Sequence, residues 1–513
     1  MPRGARKEKG ISKIRILDDV KPKPYHHPSV GFHNTIKHSV AKPLRSLCPI
    51  TPSTPTDGAL SMSSPYNTNP LRGTEPSPVE VFESLHIRPK LEQRKQKGSL
   101  RQLKAFPSIP DDATSRQNVI DFSSNDYLGL AQSTIQQQKV EELYKTLPDR
   151  YLGSTGSRLL TGDSKYAQDL ELRLAKWHKR PSAMLCNSGY DANLSVMSCL
   201  SLNSTVLMDD LCHNSIQMGL RLSKGFKLQQ FRHSNLSDLE RLLILDQQNR
   251  SRTSPKPAII VVESVYSMDG DAAPLKEILD MALKYNACVI VDEAHGLGIL
   301  GNNGMGLLEE DGLENHPSLL CSVHTFGKAA GCHGAVVCGS KALTGFLLNY
   351  GRPIVYSTSL PLHSLVSIAC SYESMSGNIG RQLRRDLNDR TELFRRLFVE
   401  RIVRPNQKSG FSLPIRLAPS VSSINALIVP GNNECQEFCK ILWNKSNRSI
   451  RLYPIRSPTV PKGSERVRII IHSHNTEDQV IYLISLIQST LCDMGIIPGS
   501  NRNDYQPNIL SRL

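Results

Sequence analysis

Residues 288–328 constrain the fold of this chain more than any other stretch. The β-branched run Val289-Ile290-Val291 ends on Asp292, with His295 just beyond. A second short apolar run, residues 319–323, ends in His324-Thr325-Phe326-Gly327-Lys328. Such runs suit strands of a parallel sheet, whose two faces are both covered. Polar groups at the C-terminal ends of such strands face the crevice in which α/β proteins bind ligands. An acid on one strand end and an amine on the next is the pair that pyridoxal phosphate chemistry needs. The amine takes the aldehyde, and the carboxylate keeps the pyridine nitrogen protonated so that the ring accepts electrons. From this stretch alone, an ordinary doubly wound core with a surface lysine is the simpler reading; other segments reverse that order.

Between residues 183 and 339 six apolar runs (MLCN, STVLMDD, AIIVVES, CVIVDEA, LLCSVHT, GAVVCG) alternate with helical patterns. That alternation predicts an α/β domain with a mostly parallel sheet and helices on both faces. The spacing of Tyr166, Leu170, Leu174 and Trp177 predicts a helix over 164–179. A helical stretch runs from Pro361 to about residue 402. Three strand-like runs (SSINALIVP, SIRLYPI, RVRIIIHS) and an amphipathic helix over 476–494 then predict a smaller α+β C-terminal domain. Near the other end, residues 80–103 read as helix and residues 120–130 as a short strand ending in a turn. Residues 1–78 are rich in Pro, Ser, Thr, Lys and Arg without an apolar period, the signature of a disordered basic extension. The expected divisions are 1–78, an N-terminal helix and segment at 79–150, a large cofactor domain at 151–361, a small domain at 362–495, and a tail at 496–513.

The net charge is +15 over 513 residues, and roughly half of the excess precedes residue 76. The mildly basic body suits anionic small substrates such as phosphates or coenzyme A. Nucleic acid is not expected as a partner, because no basic-aromatic motif accompanies the charge. The twelve cysteines are scattered, without paired CxxC blocks, and read as reduced core residues; no metal site is expected. No apolar run is long enough to span a membrane.

Further strand ends carry matching chemistry. Gly189, after Asn187-Ser188, opens a helix whose free N–H groups suit a phosphate, and Tyr190 can stack on a ring. His213 follows the next strand and can also stack on a planar cofactor. Glu263 and Ser267 follow the strand over 259–262 and fall near the same crevice. Asp292 and His295, three residues apart after a strand, suit a ring nitrogen and a ring phenolic oxygen; a metal site is the rival reading, but no third ligand is close in sequence. Thr325 offers a hydroxyl to phosphate, and Lys328 the amine. Singly, each is an ordinary loop residue; in series they argue for one site.

With these residues in view, the chain resembles the α-oxoamine synthases, pyridoxal phosphate-dependent acyltransferases of the type I, aspartate aminotransferase-like fold. The motifs FSSNDYLGL, GSTGSRLLTG, NSGYDAN, ESVYSMDGD, VDEAHG, TFGK and YSTSLP carry the resemblance over residues 79–491. Within that family the run Ile455-Arg456-Ser457-Pro458-Thr459-Val460-Pro461 is similar to that of the 8-amino-7-oxononanoate synthases, with Ser457 where they carry proline. The resemblance implies Lys328 as the Schiff-base lysine, Asp292 on the pyridinium, His295 on the ring oxygen and His213 stacked on the ring. It places Gly189, Tyr190, Glu263, Ser267 and Thr325 around the cofactor, with Ser357 and Thr358 reaching the phosphate of a partner subunit in a homodimer. It places Arg101, Asn125, His213, Arg456, Thr459 and Arg468 on the substrate side, Arg468 taking the amino acid's carboxylate.

The implied reaction is decarboxylative condensation of L-alanine with pimeloyl-CoA, or another pimeloyl carrier. Alternatives are glycine with acetyl-CoA or succinyl-CoA, serine with a long acyl-CoA, and a non-catalytic regulatory subunit. Ser511-Arg512-Leu513 is close to the Ser-Lys-Leu peroxisomal address and suggests an import receptor as partner and the peroxisome as location. The basic N-terminus leaves the mitochondrion, and otherwise the cytoplasm, as the alternative.

Overall fold

The computed structural model describes residues 76–97, 100, 101, 103, 119–250, 256–408, 415–457 and 459–498. The expected disordered extension and the Ser511-Arg512-Leu513 address lie almost wholly or wholly outside these. The chain divides into two compact units, Met1–Lys104 and Ala105–Leu513. In the first, helical segments Pro78–Phe82, Glu83–Ile87 and Arg88–Gln96 follow one another. Ser77 opens them with a capping box closed by Glu80, satisfying N–H groups that a helix start leaves bare.

The second unit holds a seven-stranded sheet: β1 Ser182–Cys186, β2 Thr205–Asp209, β3 Lys227–Phe231, β4 Ala258–Glu263, β5 Ala287–Asp292, β6 Leu319–Thr325 and β7 Ala335–Gly339. Its order is β1-β7-β6-β5-β4-β2-β3. Only β7 runs against its neighbours; β6, β5, β4, β2 and β3 pair parallel. The apolar runs have two buried faces, as their composition requires. Leu207, Ile260, Val262, Val289 and Val291 pack with Leu239, Leu242 and Leu279 of the Leu236–Asn249 and Leu275–Lys284 helices. Their sequence neighbours Val206, Met208, Ile259, Val261 and Ile290 pack with Val196 and Leu220 of the Gly189–Leu200 and Asn214–Leu222 helices. Register sets Glu263 directly beside Asp292, so both acids leave the sheet at the same C-terminal edge.

A four-stranded antiparallel sheet follows: β8 Arg416–Leu417, β9 Ile424–Ile428, β10 Tyr453–Ile455 and β11 Arg466–Ile470, in the order β10-β11-β9-β8. Leu427, Val467 and Ile469 face Phe394, Phe398, Phe438, Leu442, Leu483 and Ile487 from three helices. The helix predicted over 476–494 is Glu477–Asp493, started by a Thr476–Gln479 capping box. Residues 120–130 do not form the expected strand. They run as bends and turns, tied by Ile120 N–H to Ser449 O and Ile470 N–H to Phe122 O, because Asp121 and Ser124 turn the backbone through side-chain bonds.

Leu483 is fully buried at the centre of this smaller core. Leu483→Ala is expected to cost about 2–5 kcal/mol and to lower the thermal unfolding midpoint measured by circular dichroism. An unchanged midpoint contradicts this packing.

Candidate active site

Lys328 lies just past β6, and its Nζ stands 2.6 Å from His295 Nε2. Burial pushes the amine down to about 8, with Arg468 acting in the same direction and Asp292 and Glu263 opposing. Glu263, at the end of β4, is raised to about 8 by burial and by the neighbouring Asp292.

Each group is held from outside. Asp292 Oδ2 accepts from Asn193 Nδ2 at 2.7 Å and Oδ1 from the Ala294 N–H at 2.9 Å. Asn193 also donates to Ser215 Oγ at 3.0 Å, which meets His213 Nδ1 at 2.8 Å. Glu263 Oε1 accepts the His213 N–H at 2.6 Å. His213 therefore caps the Asn214–Leu222 helix while its ring stays exposed. His295 is buried, and its Nδ1 meets the hydroxyl of Tyr127 at 2.6 Å. Arg468, on β11, donates to Asn125 Oδ1 at 3.0 Å, joining the substrate-side pair expected from sequence to the Tyr127–His295–Lys328 line. Its Nε is buried without a hydrogen-bond partner, leaving donor capacity for a carboxylate.

The cradle beside these groups begins at Ser188, which caps the Gly189–Leu200 helix through the Asp191 N–H. A Cβ at Gly189 would press on Thr325 at 3.0 Å, so glycine leaves room between that helix start and the end of β6. Tyr190 is 42% exposed in the first turn. Thr358 O accepts from Asn187 Nδ2 at 2.7 Å, and Ser357 lines a cleft with Asn187 and Asp191, so YSTSLP borders the same helix start. Ser267 sits, partly buried, in the turn after β4. Arg456 and Thr459 lie in the turn after β10, Thr459 exposed and bonded through its N–H to Arg456 O at 2.8 Å. Arg101 is exposed in the first unit.

The sequence reading missed Tyr127, Asn193 and Ser215. Tyr127 and Asn193 stand inside quoted motifs, FSSNDYLGL and NSGYDAN. The available signal for Asn193 was its place one helical turn after Gly189, on the face that points back to the strand end. Two other titratable groups are structural. His178 and His324 stack at 3.7 Å and 27° next to Cys338, and each engages its Nε2 in a hydrogen bond, with the Tyr372 hydroxyl at 2.9 Å and with Ser322 Oγ at 2.9 Å. Beside Asp210, His233 has both ring nitrogens engaged, by Asp209 at 3.0 Å and Asp271 at 2.7 Å.

The family model for aminotransferase class I and II matches residues 117–487. The 8-amino-7-oxononanoate synthase of Emericella nidulans is 34% identical over 79% of this chain and 95% of its own length. Among solved structures, Sphingomonas wittichii serine palmitoyltransferase is similar in fold, with a TM-score of 0.68 at 23% identity, covering 82% of this chain and 100% of that one. The 8-amino-7-oxononanoate synthase of Francisella tularensis superposes with a TM-score of 0.58 at 25% identity, covering 74% and 99%. The chain belongs to the aminotransferase class I and II family, among its α-oxoamine synthases.

Proposed function

We propose that this protein condenses L-alanine with a pimeloyl thioester, with loss of carbon dioxide, to give 8-amino-7-oxononanoate, the step that its relatives' name denotes in biotin synthesis. The observation that carries the reading is the half-buried Lys328 amine at the strand ends, near Asp292 and joined through His295 and Tyr127 to the Arg468–Asn125 pair.

The residues present fit pyridoxal phosphate. Lys328 is an amine whose lowered pKa leaves a usable neutral fraction near pH 7–8. Asp292, steadied by Asn193 and the Ala294 N–H, is the acid to hold the ring nitrogen, and His295 the partner for the ring oxygen. The Gly189–Leu200 helix start and the Thr325 hydroxyl form the phosphate cradle. His213, Tyr190, Glu263 and Ser267 complete its surroundings. When bound, the cofactor supplies an aldehyde for the amine and a ring that draws off negative charge at the substrate's α-carbon.

The chain's own residues do the rest. Arg468, with an unpartnered Nε, binds the alanine carboxylate, and Asn125 fixes the guanidinium. The neutral Lys328 amine would take the proton from the α-carbon. Asn193 holds the Asp292 side chain in place. Arg456 and Thr459 are the acyl-side candidates. A homodimer is part of this reading, with Ser357 and Thr358 reaching the partner's phosphate. Its support is the exposed Leu152, Leu160 and Tyr356, in segments that Ser154 Oγ joins to Ser359 O at 2.7 Å. Delivery to the peroxisome through Ser511, Arg512 and Leu513 is the proposed location.

Purified protein given pyridoxal phosphate, L-alanine and pimeloyl-CoA is expected to form 8-amino-7-oxononanoate by mass spectrometry, and Lys328→Ala to lose at least about 10²–10⁴-fold of the rate. Product only from glycine or serine with acetyl-, succinyl- or palmitoyl-CoA defeats the substrate assignment. A fluorescent fusion is expected to leave peroxisomes when the last three residues are removed, and light scattering to give twice the chain mass. An unchanged pattern, or a monomer, defeats the respective statement.

A further inference from the structure

Tyr127 is fully buried, and its hydroxyl lies 2.6 Å from His295 Nδ1, while Nε2 of the same ring lies 2.6 Å from Lys328 Nζ. The tyrosine oxygen also has Arg468 Nη2 at 3.4 Å and Asn125 Oδ1 at 3.3 Å. A guanidinium only donates, so the tyrosine oxygen accepts there and has one proton to place. The candidates are Asn125 Oδ1, more distant and already accepting from Arg468 at 3.0 Å, and His295 Nδ1, close and otherwise unserved. The short contact wins on distance. A neutral imidazole that accepts at Nδ1 carries its proton on Nε2.

We infer that Tyr127 is a positioning residue for the amine: by donating to His295 Nδ1 it fixes the Nε2–H tautomer, and that N–H holds Lys328 as a neutral hydrogen-bond acceptor. The reverse arrangement, an ammonium donating to Nε2, requires Nδ1–H to point at Tyr127 and the tyrosine proton to turn to the farther Asn125. The surrounding groups divide over the amine. Asp292 on β5 and Glu263 on β4 favour the ammonium, whereas burial and Arg468 on β11 oppose it. His295 stays neutral because burial, Lys328, Arg468 and His213 all push its pKa well below the usual value. Tyr127 stays protonated, pushed up to about 12 by burial. The two carboxylates favour a proton on Lys328; burial and Arg468 act against them, and the oriented imidazole adds a hydrogen bond on the same side. This inference goes beyond the proposed reaction, resting on it only for the identity of Lys328 as the working amine.

Tyr127→Phe keeps the ring and removes the hydroxyl. Protein without cofactor is labelled with trace acetic anhydride between about pH 6 and 11, and the Lys328 peptide is followed by mass spectrometry against that of the exposed Lys165. In the unaltered chain the Lys328 midpoint is expected near 8. In Tyr127→Phe it is expected to rise by about 0.5–1 pH unit, the effect of one neutral hydrogen bond. A midpoint that stays or falls overturns the inference. Should that variant not fold by circular dichroism, Asn125→Ala removes the competing acceptor; the midpoint there is expected at or below 8, and a rise overturns the inference equally. Labelling needs neither cofactor nor substrate. A shifted midpoint in a protein that makes no product defeats the functional reading alone. An unshifted midpoint in a productive enzyme defeats this inference alone.

Discussion

The structure depends on one unfavourable placement: an amine drawn partly out of water at the edge of a parallel sheet. Desolvation of Lys328 disfavours its charge, while Asp292 and Glu263 at adjacent strand ends restore part of it. The balance is set by backbone register, because β4 and β5 pair so that both acids emerge side by side. A slip of one residue in either strand would turn one acid to the other face of the sheet and leave the lysine without that counter-charge. Backbone register therefore fixes where the two acids stand.

The smaller sheet contributes to the same edge. Arg468 reaches Asn125 and Tyr127 from β11. Two residues earlier on that strand, Arg466 pairs with Asp269 in the turn that follows β4. Gly270, in the same turn, has a positive φ of 80° and no room for a Cβ, which would meet Ile424 O at 2.5 Å. Its carbonyl accepts from Ser420 and Ser422. His233, held charged by Asp209 and Asp271 with its pKa raised to about 10, ties the other side of that turn. The segment carrying Ser267 is thus clamped from both sheets, which ties Ser267 and the β11 strand that carries Arg468 into one frame.

Much of this was legible because the responsible residues follow simple periods. The six apolar runs announce buried strands, and the strand ends name Glu263, Asp292 and Lys328 directly. β3 escaped because Lys227-Leu228-Gln229-Gln230 is an edge strand open to solvent, with no apolar run to mark it. The strand expected at 120–130 failed because Asp121 and Ser124 outcompete a ladder with local side-chain bonds. Tyr127 and Asn193 were hidden for another reason. Their roles come from contacts 168 and 99 residues away along the chain, which no local pattern encodes.

The most direct test of this account is where the chain binds pyridoxal phosphate covalently. Incubation with the cofactor, reduction with borohydride and peptide mass spectrometry should find one reduced adduct per chain, on Lys328. An adduct on another lysine, or none at all, would contradict the placement of the reactive amine at the end of β6.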